Sequence, residues 1–343
     1  MNTLFVLLIG AVLLVLIFDF TNGFHDASNM LATLIASRAM NPTQAVVIVA
    51  FFTLLGPILG GTAVADTIGG IVNIQSLPKV DALIIVLCGV AGAIAWNLVT
   101  WWLAIPSSSS HALVGGLTGV VMLSSGSQDV VWGIEALKHG HFEGVVKVLA
   151  ALLISPIIGF IAGFILHRFM LFLLRGATPE VNIHLKHGQW LTASALAFSH
   201  GANDAQKGMG IITLCLFLAG YINEFSVPMW VIILSALSMT IGTMLGGWRI
   251  VRTVGFGIYK LRALHGLNTQ LTSAGVIFAA SLFGGPVSTT HVVSTAIMGI
   301  GASEHPRAVH WAKAKEILLT WVLTLPCAAA LACVIYSIVN YLI

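Results

Sequence analysis

Long apolar runs alternate with short polar stretches along the whole chain. Nine runs are predominantly apolar, and they cover residues 4–36, 44–65, 80–104, 107–123, 144–167, 190–220, 227–247, 270–301 and 317–342. A membrane helix needs about 20 apolar residues and the longest runs could hold two segments, so we expect about 10 to 12 membrane segments. Barrel strands would instead alternate apolar and polar residues at every second position. The pattern predicts an all-α polytopic membrane protein.

The composition leaves no soluble alternative. Of the 343 residues, 58% are hydrophobic and only 8% are charged, whereas a soluble domain carries about 25% charged residues. The net charge of +3 is too small to indicate a nucleic-acid partner. No basic residue precedes the first apolar run, so we do not expect a cleavable signal peptide. The cysteines stand singly in apolar runs, which predicts buried structural thiols at Cys88, Cys215, Cys327 and Cys333.

Three segments of the first half recur in the second half in the same order. TNGFHDASN (21–29) matches SHGANDAQK (199–207), PSSSSH (106–111) matches PVSTTH (286–291), and LGGTAVADTIG (59–69) matches LGGWRIVRTVG (245–255). The offsets of 178, 180 and 186 residues indicate an internal duplication. We expect a first repeat at 1–175, a polar linker at 176–189 and a second repeat at 190–343. Paired interrupted helices in two such halves are typical of the binding site of a secondary transporter.

Each motif rich in serine or threonine follows a proline and precedes a helix of small residues. Ser and Thr are preferred N-caps, so both motifs predict helices that begin inside the apolar region. Helix N-termini present free backbone N–H groups and a positive dipole end, which favour an anion. The alternative is that the hydroxyls only satisfy helix backbone or help helices to pack. We predict an oxyanion site formed by Ser108, Ser109, Ser110, Ser288, Thr289 and Thr290.

Two aspartates at matched positions lie in segments that must enter the bilayer. An acid inside a membrane is costly, and Asp26 and Asp204 therefore indicate a functional site. Bare carboxylates would repel a nearby anion, so the pair implies a bound cation such as a metal ion, sodium or protons. Lys207, close to Asp204 in the chain, supplies one fixed positive charge. Asp19 and Asp66 have no match in the other half, and we interpret them as structural partners of a nearby Lys or His.

The motif TNGFHDASN predicts that the first helix unwinds in the middle of the membrane and lines a polar cavity. Gly23 would permit the turn, and Asn22, Asp26 and Asn29 would supply oxygen ligands. Asn203 occupies the corresponding motif of the second half, and we predict that it takes part in cation coupling together with Asp204.

Four histidines fall in the repeated motifs or beside them. Histidine can carry protons near neutral pH, whereas a lone membrane histidine more often forms a hydrogen bond between helices. Both interpretations, proton relay and helix contact, stay open for His111, His200 and His291, whereas His25, beside Asp26, is predicted to take part in cation or proton coupling.

The segments FTNGFHDASNMLATLIASRAM and SHGANDAQKGMG closely resemble the two signature segments of the PiT family of inorganic phosphate transporters. PSSSSH and PVSTTH resemble the serine- and threonine-rich motifs of that family, and the resemblance is strongest to its bacterial low-affinity, proton-coupled type. It implies uptake of inorganic phosphate across the cytoplasmic membrane, as a complex with a divalent metal such as Mg2+ and driven by protons. It also implies inverted-topology halves, two re-entrant hairpins, a homodimer, arsenate as a competitor and no permanently bound cofactor.

The resemblance also assigns roles to residues, with one departure. The hydroxyl runs and Lys207 would bind phosphate, while Asp26 and Asp204 would couple cations and contact the transported metal only together with substrate. Sodium-coupled members carry N-D-x-x-N in both halves, whereas this chain has Lys207 in place of the last Asn of the second motif. Lys has donors but no acceptor, so we expect proton rather than sodium coupling. The alternatives are sodium-coupled phosphate symport and sulfate transport on the same fold.

Two other functional classes fit the motifs less well. Ser109, His111 and an aspartate could form the triad of an intramembrane hydrolase, but G-x-S-x-G and H-E-x-x-H are both absent from the sequence. A passive channel usually builds its pore from several identical subunits, whereas this chain builds a pseudo-symmetric pair of helices within itself. We therefore expect a transporter and not an enzyme.

Overall fold

Helices make up nearly all of the protein. The computed structural model describes residues 3–342, and thirteen α-helices lie in that part of the chain. Within those residues there is no β-strand, and Val72 and Val130 form one isolated bridge. Backbone groups inside a membrane must be paired within their own segment, which is why long apolar runs become helices. The all-α prediction is confirmed.

The order of long and short helices is the same in both halves, apart from α6, which has no counterpart. The first half holds α1 (Thr3–Ala36), α2 (Pro42–Leu59), α3 (Ala63–Gly69), α4 (Lys79–Trp102), α5 (Ser109–Ser124), α6 (Ile134–Lys138) and α7 (Gly144–Leu173). The second half holds α8 (Val181–Ala219), α9 (Met229–Leu245), α10 (Trp248–Gly257), α11 (Ala263–Leu282), α12 (Thr289–Glu304) and α13 (Trp311–Leu342). Because α8 begins inside the stretch predicted as a linker, the non-helical connection between the halves covers only residues 174–180.

Fewer helices than expected are apolar enough to cross a bilayer. Five qualify, namely α1, α2, α4, α7 and α13, and the pair α9 and α10, bent by 70°, brings the number to six. The expectation of about 10 to 12 segments also counted helices that are shorter or more polar than these. For example, α8 and α11 are long but carry many buried polar side chains.

Two helical hairpins carry the serine and threonine motifs. α4 packs on α5, α11 packs on α12, and six residues join the helices of each pair. α5 and α12 each have 16 residues, which span about 24 Å and are shorter than the ~30 Å hydrocarbon core. They are too short to cross the membrane alone, as re-entrant hairpins require.

The two polar motifs do not interrupt their helices. α1 is continuous through 21–29 and α8 is continuous through 199–207, so the predicted unwinding was wrong. The polar side chains of both motifs contact neighbouring helices, so the backbones of α1 and α8 keep their own helical hydrogen bonds. Gly23 permits close packing instead of a turn, because an added Cβ would collide with the carbonyl of Met239 on α9. Gly201 has the same role against the carbonyl of Thr53 on α2.

The real breaks lie at two glycine pairs in the third repeated segment. Gly60 and Gly61 follow α2, and Gly246 and Gly247 separate α9 from α10. Gly61 has φ +79° and Gly246 has φ +64°, a region in which only glycine is comfortable.

The two halves interlock around the middle of the molecule. α1 packs on α9 and α8 packs on α2, while α5 packs on α13 and α12 packs on α7. Each of these contacts joins one half to the other. The arrangement brings the polar motifs of α1 and α8 to the hairpin tips, by which we mean the connection before α5 and before α12 together with the first turn of each of these helices.

The cysteines are all free, but they are not equally buried. Cys88 and Cys215 are buried, as predicted. Cys327 and Cys333 are only half-buried, so the prediction was wrong for these two. They lie on α13, whose most apolar stretch is only 17% buried within the protein.

Candidate functional site

The carboxylate of Asp26, in α1, receives hydrogen bonds from both halves of the chain. Thr289 Oγ1 donates to Oδ2 at 3.2 Å and Thr290 Oγ1 donates to Oδ1 at 3.1 Å, both from the first turn of α12. Ser109 Oγ, at the start of α5, lies 3.5 Å from Oδ2. His25 Nδ1 lies 3.0 Å from Oδ1. Since Asp26 is buried, these groups replace water around the carboxylate.

Asp204, at the matched position of α8, is neutralised by its own helix. Lys207 Nζ donates to Asp204 Oδ1 at 2.6 Å and to the carbonyl oxygen of Val287 at 3.3 Å. His200 Nδ1 lies 3.4 Å from Asp204 Oδ2 without forming a hydrogen bond. Lys207 is fully buried, which excludes the alternative that it extends to the membrane surface.

At the hairpin tips, α5 and α12 begin with the N-caps that the sequence predicted. Ser108 Oγ accepts a hydrogen bond from the backbone N–H of His111, and Ser288 Oγ accepts one from that of His291. Both serines are thus N-caps, as expected from their position before α5 and α12. Ser110 Oγ, one residue into α5, donates to a backbone carbonyl just before α12 and joins the two tips.

The asparagines of the first motif remain available as ligands. Asn29 Nδ2 donates to Thr290 Oγ1 at 2.9 Å and lies 3.5 Å from Thr289 Oγ1. Its Oδ1 accepts no hydrogen bond from the described residues. Asn22 is fully buried, and both of its side-chain polar atoms lack a hydrogen bond within residues 3–342.

Asn203 has a different role from its counterpart in the first half. Its Nδ2 donates to Ser281 Oγ at 2.9 Å and to the carbonyl of Gly285 at 3.0 Å. Its Oδ1 accepts from the backbone N–H of Val287 at 3.2 Å. The side chain holds the connection between α11 and α12, so its oxygen is already engaged and is not directed at a cation.

The imidazoles of His111 and His291 lie away from the carboxylates. Their ring centroids are 4.9 Å apart, and His291 stacks on Trp321 at 3.7 Å. Both line an apolar cavity of about 790 Å³ between α7 and α13. The structure places them in contacts between helices, and neither hydrogen-bonds to Asp26 or Asp204 within the described chain.

The centre brings together groups of the kinds that bind cations and oxyanions. Asp26, Asp204 and His200 each bring one ligand atom to within 4.8 Å of the others. Carboxylate oxygens and a neutral imidazole are ordinary ligands of divalent metals. The hydroxyls and N-termini of two helices adjoin this group, and such groups bind oxyanions. The matched residues of both motifs therefore meet in one place.

A family model described as the phosphate transporter family matches the chain twice, over residues 22–182 and 175–332. The chain belongs to the phosphate transporter family. The predicted resemblance is confirmed, and because the family consists of transporters, the hydrolase alternative is excluded.

Relatives of this transporter extend over its whole length. It is 40% identical over 343 residues to a probable low-affinity inorganic phosphate transporter of Bacillus subtilis (strain 168), with 99% of both chains covered. A protein of the same description from Rhizobium meliloti (strain 1021) is 40% identical, with 97% of this chain and 96% of the relative covered. The low-affinity inorganic phosphate transporter PitB of Escherichia coli (strain K12) is 27% identical, with 98% and 97% covered.

The fold of the transporter also matches a solved structure. A protein described as the sodium-dependent phosphate transporter superposes with a TM-score of 0.87 over 98% of this chain and 100% of that chain, at 24% identity. At this identity the likeness shows the fold.

Two aspartates do not behave as the sequence suggested. Asp19 and Asp66 were interpreted as partners of a nearby Lys or His, yet neither forms an ion pair within residues 3–342. Asp66 is exposed on α3. Asp19 is fully buried in α1, and neither of its carboxylate oxygens accepts a hydrogen bond from a described residue.

Sequence reasoning missed two residues that organise the site of the transporter. Ser107 Oγ lies 3.4 Å from His25 Nε2 and 2.8 Å from Thr100 Oγ1, which links the Asp26 cluster to α4. Gln206 Oε1 accepts from the backbone N–H groups of Val64 and Ala65, the first turn of α3. Both residues stand inside the repeated motifs, and that position was the only available signal.

Proposed function

We propose that this transporter carries inorganic phosphate across the bacterial cytoplasmic membrane by symport with protons, and that phosphate enters as a complex with a divalent metal such as Mg2+. The observation that carries the proposal is the meeting of two carboxylates and one ammonium with the N-termini of α5 and α12. The names of the relatives support phosphate as the anion.

The charges of the site favour uptake together with cations. Asp26 and Asp204 against Lys207 leave one net negative charge when the histidines are neutral. A phosphate dianion would add two more negative charges, and uncompensated charge in a buried site is strongly unfavourable. A divalent metal bound with phosphate neutralises the dianion, and protons reduce the remaining negative charge.

Lys207 supports protons over sodium as the coupled cation. Its ammonium holds Asp204 Oδ1 at 2.6 Å, where it occupies an oxygen that sodium would need. The alternative is sodium coupling, which the description of the structural neighbour favours. The inverted insertion of the halves and a homodimer, both implied by the resemblance, belong to the same proposal.

The carboxylates also support phosphate over sulfate. Hydrogen phosphate carries an O–H that an ionised carboxylate can accept, whereas sulfate at neutral pH has none. A site that binds a substrate O–H can reject an analogue without it by about 10⁴-fold, because its buried acceptor stays unpaired. Phosphate and arsenate should therefore compete with each other, and sulfate should not.

Uptake of labelled phosphate into proteoliposomes tests the proposal. An inward proton gradient in sodium-free buffer with Mg2+ should drive accumulation, and a proton ionophore or removal of Mg2+ should abolish it. Arsenate should inhibit and sulfate should not, with empty liposomes as the control. Inhibition by sulfate equal to that by arsenate, or accumulation unaffected by the ionophore, would contradict the proposal.

A further inference from the structure

Asp19 is a fully buried acid in α1 that the site described above does not use. Neither carboxylate oxygen accepts a hydrogen bond from residues 3–342, and no basic group of the described chain lies within ion-pair distance. An ionised carboxylate in such a place is very costly, whereas a protonated one is neutral. The matched position in α8 is Ala197, so this acid has no counterpart in the second half.

The position of Asp19 connects it with the transport site. It precedes Asp26 by seven residues, which is two turns and about 10 Å along α1. Gly208 packs directly on both of its carboxylate oxygens, and Gly208 follows Lys207 in α8. Lys207 attracts the ionised carboxylate and Asp204 repels it.

The other elements around Asp19 contribute no nearby charge. From α9, the uncharged hydroxyl of Ser235 lies beside the carboxylate, and the two groups do not meet hydrogen-bond geometry. The charged residues of α4 are Lys79 and Asp81, both in its first turn. Lys79 Nζ donates to the carbonyl of Ala219, about three turns along α8 from the glycine that packs on Asp19.

The surroundings suit a proton better than a metal ion. A metal cation needs a cage of about six oxygens. Asn22, one turn further along α1, and Ser235 offer unpaired oxygens near this acid, which is fewer than such a cage needs. An added Cβ on Gly208 would collide with both carboxylate oxygens, so no space remains on that side even for a methyl group. A proton needs no space and no additional ligand.

We propose that Asp19 carries the proton that is co-transported with phosphate. This inference rests on the proposed function and names the residue that would perform its coupling step. Three buried acids, Asp19, Asp26 and Asp204, face one buried ammonium, that of Lys207. A proton that bonds to a carboxylate oxygen of Asp19 removes one negative charge from this group, so an anion binds more easily. By reciprocity, bound phosphate holds the proton more tightly, which couples the two movements.

The variant Asp19→Asn tests the assignment, because Asn resembles a protonated Asp that cannot release its proton. Two assays are compared in proteoliposomes: exchange of labelled for unlabelled phosphate at equal pH, which needs no net proton movement, and accumulation driven by a proton gradient. We expect exchange to persist and gradient-driven accumulation, with its accompanying proton flux, to be lost. Asp66→Asn, which removes an exposed acid of the same half, should leave both assays unchanged.

The outcomes separate this inference from the function on which it rests. If Asp19→Asn accumulates phosphate like the unmodified protein, Asp19 is not the proton carrier, although proton symport stands. Loss of exchange together with accumulation would also overturn the inference, because it would show a structural or substrate-binding role. If the unmodified protein shows no response to a proton gradient, the proposed function itself fails.

A spectroscopic measurement can detect the proton on Asp19 in the unmodified protein itself, and a conservative variant then assigns the signal. The infrared carbonyl band of a protonated carboxylic acid without hydrogen bonds should be present in the unmodified protein at neutral pH and should shift in Asp19→Glu. Absence of that band, or a band that Asp19→Glu leaves unmoved, would contradict the inference.

Discussion

Asp26 and Asp204 occupy matched positions in two homologous halves, yet their surroundings differ in kind. The Asp26 carboxylate is held across the interface between the halves, by the neutral hydroxyls of Thr289 and Thr290. The Asp204 carboxylate is held within its own helix by the ammonium of Lys207. Neutral donors leave the charge of Asp26 available to a cation, whereas Lys207 cancels that of Asp204. The duplication therefore kept an aspartate in each half, while Lys207, at the position of Asn29, changed the charge that the second half offers.

The largest expected effect comes from removing the negative charge of Asp26, in the first half. Asp26→Asn keeps the size of the side chain but weakens the hydrogen bonds that two threonines donate to it. Bonds to a charged group contribute about 1.5–3 kcal/mol each, so uptake of phosphate should fall by about 100-fold or more. Asp204→Asn should also abolish coupled uptake. Initial rates in proteoliposomes measure both effects, and a near-normal rate in either variant would assign that aspartate a structural role.

The next prediction concerns the buried ion pair of Asp204 and Lys207 in the second half. Lys207→Gln leaves Asp204 as an unpaired buried charge, and breaking a buried ion pair from one side costs about 3–5 kcal/mol. The double variant Asp204→Asn with Lys207→Gln removes both charges and should recover most of that stability. Thermal unfolding in detergent compares the single and double variants. Equal stability of Lys207→Gln and the unmodified protein would show that the pair does not contribute to folding.

In the same two variants, transport activity should not follow stability. Both should transport phosphate poorly, since each lacks the fixed positive charge beside the hairpin tips. A fully active Lys207→Gln variant would remove Lys207 from the mechanism and leave proton coupling open.

The two glycines test whether the interlocked packing is equivalent in both halves. A Cβ at residue 23 or 201 would meet a backbone carbonyl of the facing helix. Gly23→Ala and Gly201→Ala should each destabilise the protein by about 1–3 kcal/mol, the usual cost of overpacking. Gly10, also in α1, has no atom within 4 Å of such a Cβ, and Gly10→Ala is the matched control that should be neutral or slightly stabilising. Similar melting temperatures for all three variants would disprove the close-packing role.

The smallest effect concerns the N-caps. Ser108 and Ser288 cap α5 and α12 in the same way, so replacement of either by Ala should cost about 1 kcal/mol. The two losses should be equal within error when measured by thermal unfolding. A much larger loss for one serine would show that its hydroxyl has a further role in the protein.

The sequence was informative wherever the duplication repeated a residue type. Matched motifs located Asp26 and Asp204, and the basic residue at the position of Asn29 drew attention to Lys207. N-caps follow local rules, so Ser108 and Ser288 could also be predicted.

Other features depend on packing between distant segments and could not be predicted. α1 stays helical through its polar motif because side chains from α5 and α12 satisfy Asp26. The oxygen of Asn203 is taken by the N–H of Val287, 84 residues away. The absence of a partner for Asp19 within the described chain likewise becomes visible only when its neighbours are in place.

The most direct test of the central claim, that Lys207 stands in place of a bound sodium ion, is the sodium dependence of phosphate uptake. Uptake into proteoliposomes under a fixed proton gradient is measured over a series of sodium concentrations for the unmodified protein and for Lys207→Asn, which restores N-D-x-x-N in the second half. The account predicts uptake independent of sodium in the unmodified protein and stimulation by sodium in Lys207→Asn. Strict dependence of the unmodified protein on sodium would contradict it.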